Sequence, residues 1–158
     1  DAAKMVFTQP RNGGLHALVM VDVDHFKRIN DRYGHGYGDQ MLARICDLLR
    51  SALRADDLVG RIGGDEFVLL LKNVVNRDAL LVKINSLCTQ VYENASDRLE
   101  ISCSFGAATY PQDGADFDEL YRKADTALYV AKEAGRNCTR IYTPDMGLTM
   151  PLFETKEM

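Results

Sequence analysis

Ala17-Leu18-Val19-Met20-Val21 is an almost unbroken apolar run, opened by His16 and stopped abruptly by Asp22. A half-exposed strand would alternate apolar with polar residues, so this run predicts a central strand covered on both faces. The next constraint is the pair Gly63-Gly64, set between short strand-like runs at 58–62 and 66–72. That arrangement has the chemistry of a tight hairpin turn. A hairpin this early excludes a purely parallel doubly wound sheet and favours a mixed or antiparallel one with helices on it.

Around this frame the other elements follow from spacing. Residues 34–39 are Gly-rich and predict a loop. After it Met41, Leu42, Ile45, Cys46, Leu48, Leu49 and Leu53 recur at helical intervals, giving a helix to about Arg54. A helix is expected over 77–92 and a strand over 99–110, ended by Pro111-Gln112-Asp113-Gly114. Asp116 and Glu119 resemble a capping box that opens a helix over 117–134, with Gly135 closing it. Residues 138–142 form a last strand. The order β-α-β-β-α-β-α-β predicts an α+β fold: a mixed, mostly antiparallel central sheet with flanking helices on a ferredoxin-like βαββαβ core. Residues 1–143 make one domain, and 144–158, without periodicity, a peripheral tail.

The 158 residues, 46% hydrophobic and 27% charged, fit one ordinary soluble domain. A net charge of −4 repels phosphate backbones, so no nucleic-acid partner is expected. A polyphosphate ligand would need a local device, either metal ions or a few placed cations. Cys46, Cys88, Cys103 and Cys138 lack the spacing of a zinc or redox centre and read as free thiols, Cys46 and Cys103 buried in apolar patterns. His16, His25 and His35 are too scattered for a zinc site and read as surface or loop residues. No apolar run approaches membrane-spanning length, so no membrane contact and a cytoplasmic location are expected.

Asp22 and Asp24 end the first strand, and Asp65 and Glu66 occupy the hairpin turn. If the hairpin lies beside the first strand, these carboxylates converge at one end of the sheet. Clustered carboxylates repel one another unless cations sit between them, and a small set of hard oxygens suits magnesium. Acids at strand ends and in turns are also common for reasons of exposure alone. The P-loop pattern is absent, and residues 34–39 fail the dinucleotide fingerprint because Asp39 stands where its third glycine belongs.

Arg61-Ile62-Gly63-Gly64-Asp65-Glu66-Phe67 carries a literal Gly-Gly-Asp-Glu-Phe signature. Before it stand Asp22-Val23-Asp24-His25-Phe26-Lys27-Arg28-Ile29-Asn30-Asp31, Tyr33-Gly34-His35 and Asp39. After it stand Ala124-Asp125-Thr126-Ala127-Leu128-Tyr129, Ala131-Lys132 and Gly135-Arg136-Asn137. With these ordered companions, from about Leu15 to Tyr142, the chain resembles the GGDEF family of diguanylate cyclases. The resemblance implies a nucleotidyl-cyclase, palm-like core and the condensation of two GTP into cyclic di-GMP with release of pyrophosphate.

It also implies residue roles. Asp22, the Val23 carbonyl and Asp65 would hold magnesium, with manganese as the alternative. Asp65 or Glu66 would help activate the ribose 3′-hydroxyl. Asn30 and Asp39 would read guanine, with Phe26 and His35 near the nucleotide, and Lys27, Lys132 and Arg136 would neutralise phosphates. The turn after Asp24 would offer backbone N–H groups to the β- and γ-phosphates. Arg54 and Asp57, in an Arg-x-x-Asp placed five residues before the signature, match the family's inhibitory product site. Arg28–Asp31 and Arg122–Asp125 share that pattern, and only position separates the middle copy.

The family's usual Asp-x-Leu-Thr lead-in is not seen, which suggests a trimmed start; Met5 and Phe7 read as core contacts of a helix that follows it. One site would hold one GTP, so a homodimer is the expected working form, imposed by a sensory domain elsewhere in a longer protein. Three rivals bracket this reading: a catalytically silent module that binds GTP or cyclic di-GMP to regulate a neighbour, a related cyclase using ATP, and a purely structural dimerisation domain, which would have no reason to place Asp22 opposite Asp65. The intact signature speaks against the first and Asp39 against the second.

Overall fold

The computed structural model describes residues 8–97 and 99–148. Its elements are β1 (Leu15–Val23), α1 (Phe26–Tyr33), α2 (His35–Ser51), β2 (Leu58–Arg61), β3 (Glu66–Val74), α3 (Arg77–Asn94), β4 (Cys103–Tyr110), α4 (Phe117–Glu133) and β5 (Thr139–Ile141). The strands form one sheet in the order β2-β3-β1-β4-β5. All pairings are antiparallel except β4 with β5. The expected α+β sheet is therefore present, with the apolar run at its centre.

Every residue of β1 is buried, and its two faces serve different layers. Ala17, Val19, Val21 and Val23 join Ile45, Leu49, Leu80, Ile84 and Phe105 in the larger core under α2 and α3. Leu18 and Met20 point the other way, into a smaller core with Leu120, Ala124 and Leu128 of α4. That second seam is unusually close. A Cβ at Gly106 of β4 would lie 2.1 Å from the Leu128 nitrogen and 2.5 Å from the Ala124 oxygen. Only a residue without a side chain lets α4 rest backbone to backbone on the sheet.

Side-chain caps fix the starts of α3 and α4. The Asn76 side chain accepts from Ala79 N–H at 2.8 Å, and Asp116 from Glu119 N–H at 2.9 Å. Glu119 returns to the Ala115 N–H at 3.1 Å, one residue earlier than a strict capping box. Each such cap contributes about 1 kcal/mol.

Several expectations are corrected. Residues 35–39 are the first turns of α2 and not a loop, and α1 is a separate helix before them. Gly34, at φ 91°, makes the joint between the two helices. Gly38 is glycine because a Cβ there would meet Asn30 Oδ1 at 1.9 Å. β4 begins at Cys103 and not at Leu99. His16 is no surface residue. It is 4% exposed, accepts the Asn73 N–H on Nδ1 at 3.0 Å and donates from Nε2 to the Thr8 carbonyl at 2.8 Å. Cys103 is buried as expected, whereas Cys46 is half-buried against the larger core. The start of the tail, Pro144–Leu148, forms a 3-10 turn. Met5 and Phe7 lie outside the described residues.

Candidate functional site

Strand pairing delivers the acids to one place. β1 and β3 run antiparallel with Asp22 opposite Glu66, and the Val23 N–H donates to the Asp65 carbonyl at 3.1 Å. The hairpin closes through Ile62 N–H to Glu66 O at 3.0 Å, leaving Gly63, Gly64 and Asp65 as its tip. Neither glycine adopts a left-handed φ, so the turn is not the two-residue primed type that Gly-Gly usually marks. Arg61 braces the tip from outside. Its guanidinium donates to the Gly63 carbonyl at 3.2 Å and the Gly64 carbonyl at 2.9 Å. Among the described residues, its two neighbours aside, nothing lies within 4 Å of a Cβ built on Gly64, so that face of the tip is open.

A cavity of about 600 Å³ opens at this end of the sheet. Asp22, Val23, Phe26, Lys27, Asp65, Lys132 and Arg136 line it together with Asp24, His25, Arg28, Asp31 and Arg32. Asp22 is 4% exposed, and its Oδ2 accepts from the Lys132 ammonium. Its Oδ1 is buried with no hydrogen-bond partner. Burial pushes the Asp22 carboxyl from 3.8 up to about 7. Lys132 pulls against that rise, and the neighbouring Asp65 carboxyl adds to it. Asp22 sits on the α4 side of β1 with Leu18 and Met20, which is why a lysine from α4 reaches it.

Other expected members are placed differently. Glu66 is half-buried and does not line the cavity; its Oε1 lies beside Gly63. Lys27 lines the mouth but pairs with Asp31 at 3.1 Å on an exposed face of α1. Arg136 follows Gly135 after α4, at a left-handed φ of 64°. Asn30, Asp39 and His35 lie apart from the cavity lining, around the α1–α2 joint. There the Asn30 Oδ1 is buried without a partner, and Asp39 and His35 are exposed.

Arg54 and Asp57 sit at the far end of the hairpin, about 20 Å of strand away from Asp65. Asp57 is consumed by the fold: it accepts from Arg54 N–H at 3.0 Å and Lys72 N–H at 2.9 Å. Arg54 pairs with it at 3.8 Å and donates to the Lys72 and Asn73 carbonyls.

Asp24 has a different job from the one its motif suggested. Its carboxylate faces Ser102, Ser104 and the Asn137 N–H instead of joining Asp22. Those partners lie 78, 80 and 113 residues along the chain, so no local pattern could announce them. Among the described residues no three His, Cys, Asp or Glu side chains cluster around a metal position. No described helix is long and apolar enough to cross a membrane.

Fold and site together define an α+β domain that gathers acids, lysines and arginines at the carboxyl end of its central strand. The family profile described as "Diguanylate cyclase, GGDEF domain" matches residues 4–138, and the chain belongs to that family. It is 42% identical over 123 residues to the bifunctional diguanylate cyclase/cyclic di-GMP phosphodiesterase MucR of Pseudomonas aeruginosa, covering 77% of this chain and 18% of that protein. It is 37% identical over 131 residues to the diguanylate cyclase DgcS of Shewanella oneidensis, covering 83% of this chain and 44% of that protein. The chain thus spans less than half the length of either relative. The solved GGDEF domain of YfiN (TpbB) from Pseudomonas aeruginosa superposes with a TM-score of 0.79 at 32% identity, over 85% of this chain and 80% of that one.

Proposed function

We propose that the chain is a diguanylate cyclase, joining two GTP molecules into cyclic di-GMP and releasing two pyrophosphates. The observation that carries this reading is the buried, unbonded Asp22 Oδ1 next to Asp65, in a cavity that Lys27, Arg28, Arg32, Lys132 and Arg136 line together with the further acids Asp24 and Asp31. A buried carboxylate oxygen without a partner is costly, and a cation is the natural group to complete it. Asp22, the Val23 carbonyl and Asp65 are hard oxygen donors fit for magnesium or manganese. Bound there, the metal would offset phosphate charge and ease loss of the hydroxyl proton.

The chain's own residues supply the rest. Lys132, held against Asp22, would turn to the triphosphate together with Lys27 and Arg136. Asp65 or Glu66 would receive the 3′-hydroxyl proton as that oxygen attacks the α-phosphorus of the other GTP. Two new O–P bonds form, and two bonds to pyrophosphate break. Asn30 brings an unpartnered buried oxygen to the base, and Asp39 a carboxylate to accept from guanine N1 and N2. Adenine cannot present that pair of donors. Phe26 and His35 would flank the nucleotide. Since each site holds one GTP, two copies must face each other, driven together by a sensory domain in the full-length, cytoplasmic protein. At the far end of the hairpin, Arg54 would release the Lys72 and Asn73 carbonyls to bind cyclic di-GMP as an inhibitor.

Incubation of the dimerised protein with GTP and magnesium, followed by chromatography, tests the proposal. Cyclic di-GMP should form, and Asp65→Ala should abolish it. A protein that binds GTP and makes no product would be a receptor instead.

A further inference from the structure

The resemblance leaves Asp24 without a task, yet it is 6% exposed and accepts three hydrogen bonds. Ser102 Oγ bonds Oδ2 and Ser104 Oγ bonds Oδ1, each at 2.6 Å, and the Asn137 N–H bonds Oδ2 at 3.0 Å. Its own N–H donates to the Ser102 carbonyl at 2.9 Å, while Val23 on the other flank is bonded to Asp65. The strand end carrying Asp22 and Val23 is thereby held from both sides.

The Asn137 contact joins that strand end to the chain leaving α4. Gly135, Arg136 and Asn137 have φ of 116°, 64° and 47°, three left-handed residues in succession. The two with a Cβ adopt a backbone that side chains disfavour, so the turn persists only where surrounding bonds hold it. The Arg136 N–H is bonded to Ala131 O at 3.1 Å. Of these contacts only the Asp24 carboxylate reaches across to β1. Beside the Lys132–Asp22 ion pair, it is therefore a second link between β1 and the end of α4, and the one made to the backbone of the turn.

We infer that Asp24 is a positioning residue for triphosphate binding. By holding the Asn137 amide it sets Arg136, and Lys132 one turn earlier, against Asp22 and Asp65. The inference rests on the cyclase reading of the same cavity. It predicts that losing the clasp disturbs the phosphates of a bound nucleotide more than its base, because Asn30 and Asp39 lie on another part of the fold.

The test compares GTP, with magnesium, and GMP by calorimetry on wild type, Asp24→Ala and Asp24→Asn, with hydrogen exchange at the Asn137 amide. Asp24→Ala should weaken GTP by about tenfold, the size of one charge-assisted hydrogen bond, and GMP by less than about twofold. The Asn137 amide should lose protection. Asp24→Asn keeps the shape and one acceptor oxygen, and should restore GTP affinity to within about threefold of wild type. Should Asp24→Ala fail to fold, Asp24→Asn and Ser104→Ala decide, with GTP again weakened more than GMP. Equal weakening of both nucleotides, or no change in either, overturns the inference alone. A wild-type protein that binds neither overturns the reading of the cavity and the inference with it.

Discussion

The Asp22 carboxyl is held protonated to an unusually high pH, and replacing it with asparagine should expose that as a slope. Burial raises its pKa from 3.8 to about 7 in the fold. The folded state thus binds the proton more tightly than the unfolded chain does. The stability this contributes is fully present below pH 3.8 and is lost as pH rises through 7. The whole displacement corresponds to about 4 kcal/mol at 1.36 kcal/mol per unit, and more than half of it, about 2–3 kcal/mol, falls between pH 5 and pH 8. Asp22→Asn cannot titrate, so its stability relative to wild type should rise by that amount across the window. The pull of Lys132 is already contained in the wild-type pKa, so losing that partner leaves the slope of the difference alone. Urea titrations at half-unit intervals would read it directly; in melting temperature the relative change is about 5–10 °C for a chain of this size. Magnesium at pH 8 should stabilise wild type and not the variant, because only the ionised carboxylate binds it. A flat difference from pH 5 to pH 8, or one of opposite sign, would refute the reasoning.

Gly106→Ala should cost about 3 kcal/mol or more in urea unfolding, since the backbone of α4 cannot retreat from a methyl group at 2.1 Å without unseating Leu120 and Leu128. Asp57→Ala should cost about 2 kcal/mol, because the Arg54 and Lys72 amides both lose their acceptor, and Asp57→Asn should recover part of it. The same Asp57→Ala protein should leave GTP binding in calorimetry within about twofold of wild type, as the site lies at the other end of β3.

The centre of this fold was readable because burial on both faces leaves a mark in one short run, Ala17 to Val21. The meeting of Asp22 with the turn followed from placing the hairpin beside that run. What escaped were features set by contacts remote in sequence. The glycines at 34, 36 and 38 look like a loop, yet Gly38 is small because Asn30 packs against it and only Gly34 makes a joint. His16 looked polar and therefore exposed, but Thr8 and Asn73 satisfy both ring nitrogens. Asp24 looked like a second metal-facing acid, and its three partners come from β4, the residues before it and the turn after α4. Arg61 carried no signal beyond its place next to the signature, since its role depends on how the turn carbonyls point.

The backbone contact at Gly106 also works as the zero mark of a ruler. Gly106 faces Met20 across the sheet and Leu128 above it. From Leu128 to Lys132 the helix advances about 6 Å, and from Met20 to Asp22 the strand advances about 6.8 Å. The two measures nearly agree, and so the ammonium arrives over the carboxylate. Because the origin is main chain against main chain, the register of the two backbones has no rotamers in it to drift, and the Lys132 side chain spans what remains. Repacking of the surrounding core can change the protein's stability while leaving that register as it was.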